Sequence, residues 1–327
     1  MIRKLLPFVF LLLLGGLAPR SVGAQQLAQY SLFWLDPVQF NPGYAGLDNS
    51  LSVTGTYRTQ WVGLDGQPRG QQISAHLPVY FLSSGFGVEA ERDQLGARSL
   101  NRFGATWNYQ LVTSTAVWSV GLSGRYYQMS LDGAALRTPG GDYSEPNFVR
   151  HNDDLLPAGN ESAGTFTLAA GLYYQAERLE GGVSVRNLTE SALSFPGLDY
   201  VLGRQYHAYL RGRFEMLRSW EVMPMLFAVS DGVQHQLSAG GIARYNENIF
   251  AGAAYRGYNN QTTDAIVLMA GMNLSDKLSL AYAFDLTLSD LQTVQSGSHE
   301  ITLKYNLRQR IGAGVPPPII FNPRTKQ

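Results

Sequence analysis

The residues of this sequence best able to do chemistry are five histidines, His76, His151, His207, His235 and His299, and an acidic group, Asp142, Glu145, Asp153 and Asp154. Brought together, imidazoles and carboxylates could hold a metal ion or relay protons. Their spacing points elsewhere. The histidines are scattered singly along the chain, which suits strand or lumen residues better than ligands, and the acids match no calcium-loop pattern, which suits solvated loop charge. The chain has no H-E-x-x-H, no G-x-S-x-G and no phosphate-binding loop, and GFGVEA at 85–90 departs from the dinucleotide fingerprint at Ala90. No cofactor and no metal are expected, and no enzyme. A hydrolase carried on a barrel rim, with a Ser or Asp near a His, is the alternative from that class.

The elements that would position such residues follow from composition. Of 327 residues 15% are charged, while 18 Tyr, 15 Phe, 5 Trp and 35 Gly favour β structure. Residues 1–24 read as a signal peptide, with Arg3 and Lys4 ahead of the apolar run Leu5 to Leu14 and small residues before a cleavage expected after Ala24. Pro7, Gly15, Gly16 and Arg20 leave that run shorter than the ~20 residues of a spanning helix. Without Arg3, Lys4 and Arg20 the mature chain keeps 22 basic against 25 acidic residues, a formal balance of −3, which argues against a nucleic-acid partner. The absence of cysteine from an exported chain excludes disulfides as the source of its stability. Two classes remain, a soluble periplasmic β protein and an outer-membrane barrel.

Period-two patterning selects the barrel. In LSVTGTYRTQW, Leu51, Val53, Gly55, Tyr57, Thr59 and Trp61 share one face, and Ser52, Thr54, Thr56, Arg58 and Gln60 the other. VWSVGLSGRYYQ repeats the arrangement, with Trp118, Val120, Leu122, Gly124 and Tyr126 opposite Ser119, Gly121, Ser123 and Arg125. Trp118 and Tyr126 then stand about 20 Å apart along the membrane normal, the separation of two aromatic girdles, at ~3.4 Å per residue and a tilt of ~40°. The polar face carries Ser, Thr, Gly and Ala with occasional Arg rather than the Lys and Glu of a water-facing sandwich, which suits a packed or narrow lumen.

Candidate strands fall near 51–61, 70–79, 84–92, 99–111, 116–128, 164–176, 179–188, 204–214, 219–229, 235–245, 248–257, 263–273, 277–288 and 298–308. About fourteen strands is an even number, as in bacterial single-chain barrels. Short turns such as Ser275-Asp276 and Asn246-Glu247 alternate with longer connections, notably 129–163 and 189–203. The expected architecture is a signal peptide (1–24), an N-terminal segment that is periplasmic or lumenal (25–50), a transmembrane antiparallel up-and-down β-barrel (51–308) and a periplasmic tail (309–327).

Several unusual clusters remain: QYSLFWLDPVQFNPGYAG, YRTQWVGLDGQP with QQISAHLPV, GLYYQAERLEGGVSVRNL, and LSLAYAFDLTLSDL with GSHEITLKY. In this order the chain resembles the PorP/SprF family of type IX secretion outer-membrane proteins over nearly its whole mature length. Gly43 stands where the family typically has alanine and Phe284 where it has tyrosine, and the 129–163 loop matches least. The resemblance implies a barrel in the outer membrane of Bacteroidetes-type bacteria that serves protein secretion and gliding motility. Its partners would be periplasmic and outer-membrane secretion components or, alternatively or in addition, a large secreted adhesin, with membrane lipid around the barrel.

The motif residues expected to bind a partner or hold the barrel are Asn41, Pro42, Tyr44, Gly46, Arg58, Gln60, Trp61, Gly63, His299 and Glu300. Trp61 reads as an interfacial anchor, and Gly63 and Gly66 as turn formers. Arg58 and Gln60 read as lumen residues, for which a folded-back NPGYAG could supply hydrogen-bond partners. With an even strand number both termini are periplasmic, which puts NPGYAG and the tail with Pro316-Pro317-Pro318 on that side and QWVGLDG at the external rim. On physics alone, a diffusion porin or hydrophobic-compound transporter is the competing function.

Overall fold

The structure, a computed structural model, describes residues 29–144, 149–153, 156–217, 219–258, 264–309, 311, 312 and 314. The expected signal peptide, Glu145 and Asp154 of the acidic group, and the Pro316-Pro317-Pro318 stretch lie outside these residues. Among those described, no helix is long and apolar enough to cross a membrane.

Among the described residues seventeen strands follow one another: β1 (Ser52–Thr59), β2 (Arg69–Val79), β3 (Ser84–Leu95), β4 (Arg98–Val112), β5 (Ala116–Asp132), β6 (Asn160–Ala176), β7 (Leu179–Arg186), β8 (Ala192–Phe195), β9 (Leu198–Val201), β10 (Gln205–Gly212), β11 (Phe214–Leu217), β12 (Trp220–Ser230), β13 (His235–Tyr245), β14 (Ile249–Gly257), β15 (Ala265–Asn273), β16 (Leu278–Thr287) and β17 (Ser298–Asn306). Fourteen of them form a closed antiparallel ring, because β10 joins β7 to β12 and β17 returns to β1. The closing pair runs from Ser52 opposite Asn306 to Thr59 opposite His299. Closure leaves no unpaired sheet edge in the hydrocarbon, where an unmet N–H or C=O would be costly. The remaining three are accessories. The short strand β11 extends the β10–β12 hairpin, and β8–β9 is a separate hairpin inside the long 187–204 connection, where the alternation had suggested only a loop.

Side-chain phase follows the period-two reading. On β5, Trp118, Val120, Leu122 and Tyr126 are exposed on the outer wall, while Ser119, Ser123 and Arg125 are buried on the inner one. On β1 the inner residues are Ser52, Thr54, Thr56 and Arg58. Aromatic pairs mark the outer wall near the β4–β5 and β13–β14 turns, with Trp118 against Tyr174 at 4.6 Å and Trp220 against Tyr245 at 4.9 Å between centroids.

The two ends of the barrel differ. One carries the start of β1, the end of β17 and tight turns such as 113–115, 177–178 and 246–248; the other carries the longer connections 60–68, 133–159, 187–204 and 288–297. Short turns at one rim and long loops at the other is the usual outer-membrane pattern, with the short turns periplasmic.

Two substitutions on β5 test this phase and the state of the lumen. Leu122→Arg places a charge in the lipid-facing band and should cost ~2–4 kcal/mol. At Ser123 the sequence alone suggests tolerance of arginine if the lumen is open. Its side chain is instead buried between neighbours that touch a packed interior, so Ser123→Arg should cost ~1–3 kcal/mol through overpacking. Urea unfolding in detergent or liposomes measures both; an unaffected Ser123→Arg would mean that the interior beside β5 is empty.

Candidate functional site

The N-terminal segment fills the lumen. Its described residues fold as three short 3-10 turns, Phe33–Leu35, Pro37–Gln39 and Pro42–Tyr44. Pro37 and Pro42 each open a turn, where their fixed φ fits and no N–H is needed. Asn41 caps the third turn by accepting from Gly43 N at 2.9 Å. Gly46 then adopts φ +78°, which reverses the chain toward β1. From Tyr30 to Leu47 nearly every side chain is buried.

What receives this segment is a wall of two characters. Along β12 to β16 the lumen side is apolar, with Met223, Met225, Phe227, Ile242, Phe250, Val267, Met269, Ala281 and Ala283 forming one cluster with Phe33, Trp34, Leu35, Val38 and Phe40. Phe33 stacks on Phe227 at 4.4 Å, and Trp34 meets Phe250 edge-on at 5.3 Å. Such packing is non-directional and would allow sliding. Position is fixed by polar side chains nearer the long-loop rim, two of them on these same strands.

There four charged residues on four strands converge on two residues of the segment. Arg58 of β1 donates to Asp285 of β16 at 2.6 Å and to Glu300 of β17 at 3.0 Å. Arg256 of β14 donates to the same Asp285 oxygen at 2.9 Å. Between them sits Ser31, whose hydroxyl accepts from Arg58 at 3.0 Å and from Arg256 at 2.7 Å and donates to Asp285 at 2.7 Å. Glu300 also accepts the backbone N–H groups of Ser31 and Leu32, at 2.7 and 2.8 Å. Two arginines and two acids balance in charge, and the Glu300 carboxylate satisfies two backbone donors that would otherwise be stranded. The motifs around Arg58 and Glu300 therefore meet on the N-terminal segment.

NPGYAG lies deeper, toward the short-turn rim. Asn41 donates to the carbonyls of Leu172 and Val183 at 2.9 and 3.2 Å, reaching across from β6 to β7. Asn108 of β4 donates to the carbonyls of Gly43 and Ala45 at 2.9 and 2.7 Å. Glycines of the wall let the two backbones approach. A Cβ at Gly85 would lie 1.9 Å from the Ala45 carbonyl oxygen, and one at Gly121 would lie 2.3 Å from the Pro42 carbonyl carbon. Tyr44 donates to Asp48 at 2.6 Å and packs edge-on against Tyr173 and His76. Lys304 of β17 stands 2.7 Å from Asp48, and His76 accepts from Gly46 N at 3.1 Å. Burial alone would raise Asp48, but Lys304 and His76 beside it hold its carboxyl below the usual range.

Not all the predicted residues join this assembly. Asn41, Pro42, Tyr44, Gly46, Arg58 and Glu300 do. Gln60, Trp61 and Gly63 lie just past β1 at the long-loop rim, where Trp61 has φ +52° and its N–H donates to Ser298 Oγ at 3.2 Å. His299 faces outward from β17, with its ring nitrogen 2.6 Å from the Tyr282 hydroxyl. His207 lines the lumen; His151 is held in the long loop by Tyr143, and His235, which opens β13, packs on Tyr258 just past β14. Sequence reasoning did not find Ser31, Asp285, Arg256, Asn108 or Lys304 as lumen contacts of the segment. The strand residues among them have one signal, a charge or amide at a lumen-facing position: Asn108 on β4, Arg256 on β14, Asp285 on β16 and Lys304 on β17.

A closed fourteen-stranded barrel with lipid-facing aromatics and a plugged lumen is an outer-membrane protein. The chain belongs to the PorP/SprF family of type IX secretion system membrane proteins, whose model matches residues 22–305. A search of curated proteins finds no match. Among solved structures, the Ralstonia pickettii toluene transporter TbuX shares 11% identity at a TM-score of 0.49, covering 83% of this chain and 92% of that one. The Pseudomonas putida toluene transporter TodX shares 11% at 0.46, covering 86% and 95%. The CymD monoaromatic hydrocarbon channel shares 15% at 0.46, covering 89% and 96%.

Proposed function

We propose that this barrel is a docking component of the type IX secretion and gliding machinery, with no enzymatic activity of its own. The short-turn rim meets secretion components in the periplasm, and the long loops outside meet a large secreted adhesin. The observation that carries this reading is the occupied lumen: residues 30–47 are packed against strands on all sides of the barrel and tied to Arg58, Glu300 and Asn108. An interior filled in this way disfavours free diffusion and leaves the two rims as working surfaces. The signal peptide is cleaved after Ala24, and the tail from 309 onward extends the periplasmic surface.

Deleting residues 311–327 should reduce adhesin or cargo export at least tenfold while the barrel stays assembled and heat-modifiable on gels. Full export by the truncated chain would remove the periplasmic docking site from this account. A cysteine at Asp65, exposed in the 60–68 loop, should be labelled on intact cells by a membrane-impermeant reagent. Protection there would invert the topology.

A further inference from the structure

Between the N-terminal segment and the wall lies a cavity. It opens at the long-loop end, where Gln205 begins β10 and Asp231 and Gln234 lie in the β12–β13 turn. One side is apolar and aromatic. Phe40, His207 and Phe227 form a ring stack, with Phe40 to His207 at 6.3 Å and His207 to Phe227 at 6.1 Å between centroids. The opposite side holds Arg102 and Arg186.

The charges on that side do not balance locally. Arg102 pairs with Glu91 at 2.7 Å, and Arg125, behind it, pairs with Glu89 at 2.6 Å. Three arginines thus share two glutamates, and Arg186 is left over. Its side chain is 93% buried, at 7% exposure, its Nε has no partner, and among the described residues no carboxylate pairs with it. The cavity also offers an unpaired amide on Gln39. A buried cation without a counter-charge is costly, and burial beside other arginines compounds the cost. Arg102 itself is engaged, since it also donates to Gln39 Oε1 at 2.8 Å.

We propose that this cavity binds a small monoanionic ligand entering from the long-loop side, a carboxylate carried on an aromatic group. The carboxylate supplies the missing charge and accepts two parallel hydrogen bonds from the planar Arg186 guanidinium. The ring lies against Phe40, His207 and Phe227, where offset and edge contacts between aromatic systems are favourable. A single carboxylate fits because Arg186 is the one arginine of this wall without a carboxylate partner, while Asp36 and Asp231, which also line the cavity, are engaged by the Ser74 hydroxyl and by the backbone N–H groups of Val233 and Gln234. Sites for such ligands combine a mostly apolar lining with a few converging polar groups. Phe40 and Gln39 belong to the N-terminal segment, so occupancy also braces that segment against β7, β10 and β12.

The test uses purified full-length mature protein in detergent with benzoate, phenylacetate and 3-phenylpropionate, measured by calorimetry. At least one of these should bind saturably, and its neutral amide at least tenfold more weakly. Arg186→Met, which removes a buried unpaired charge and leaves the Arg102–Glu91 and Arg125–Glu89 pairs in place, should fold, unfold at an unchanged or higher temperature, and bind the same carboxylate at least tenfold more weakly. Phe227→Ala should weaken binding of the aromatic acid while leaving its charge dependence intact. No saturable binding by any of the three acids overturns the proposal, as does equal binding of acid and amide or equal binding by Arg186→Met. Export activity is not a readout here, so this result and the docking reading stand or fall separately.

Discussion

Replacing Glu300 with alanine should release the N-terminal segment and turn a closed barrel into a conducting one. Glu300 is 1% exposed and accepts from Arg58 and from the N–H groups of Ser31 and Leu32. Its removal strands two backbone donors and leaves Arg58 with Asp285 as its one carboxylate, shared with Arg256. Breaking one partner of a buried ionic group typically costs ~3–5 kcal/mol. That cost falls on the docked state of the segment, because the β1–β17 ladder that closes the ring is made of backbone hydrogen bonds and survives the change. Wild-type protein in planar bilayers should show little or no conductance, and Glu300→Ala should show discrete open-channel steps. Arg58→Ala should behave alike, since the same network loses its other pole. A variant as silent as wild type, with residues 29–50 still protected from hydrogen exchange, would show that the ionic cluster does not hold the plug.

The fold was legible because a lipid-exposed wall imposes a strict period of two. Leu122 and Ser123 fall on opposite faces in the sequence and in the structure, and fourteen strand segments read from that alternation correspond to the fourteen that close the ring. The lumen was less legible. In WEVMPMLFAV on β12 both faces are apolar, so alternation has no contrast to detect there, and Met223, Met225 and Phe227 could be read only as further hydrophobics. A barrel strand apolar on both sides makes sense only if the interior is packed, and Phe33 with Phe40 supplies that packing. Ion-pair partners were hidden for another reason. Arg58 and Asp285 lie 227 residues apart and meet only once the ring closes. A lone charge on a lumen-facing position announces that a partner exists and says nothing of which strand carries it.

The backbone contact beneath NPGYAG leads to the sharpest expected contrast between two identical changes. Gly121 and Gly55 both sit inside strands of the ring, β5 and β1, and both would gain a single methyl group as alanine. At Gly55 the new Cβ meets nothing within 4 Å, so Gly55→Ala should alter stability by no more than ~0.5 kcal/mol. At Gly121 it would stand 2.3 Å from the Pro42 carbonyl carbon and 2.4 Å from Gly43 N. Those are backbone atoms, held in turn by Asn41 and Asn108, and cannot swing aside as a side-chain tip could. Overpacking commonly costs ~1–3 kcal/mol, and the upper end or beyond applies where neither side can yield. Strand β5 is anchored along its whole length to β4 and β6, whereas the third 3-10 turn is three residues long, so the turn gives way first. Hydrogen exchange read by mass spectrometry should therefore rise at residues 40–46 in Gly121→Ala, stay unchanged in Gly55→Ala, and leave β5 protected in both. Gly85→Ala, whose Cβ would fall 1.9 Å from the Ala45 carbonyl oxygen, should repeat the Gly121 result from a different strand. If both alanines at the cradle leave residues 40–46 as protected as in wild type, the close approach of segment and wall does not exist in the membrane, and the lumen must be held closed by something other than NPGYAG.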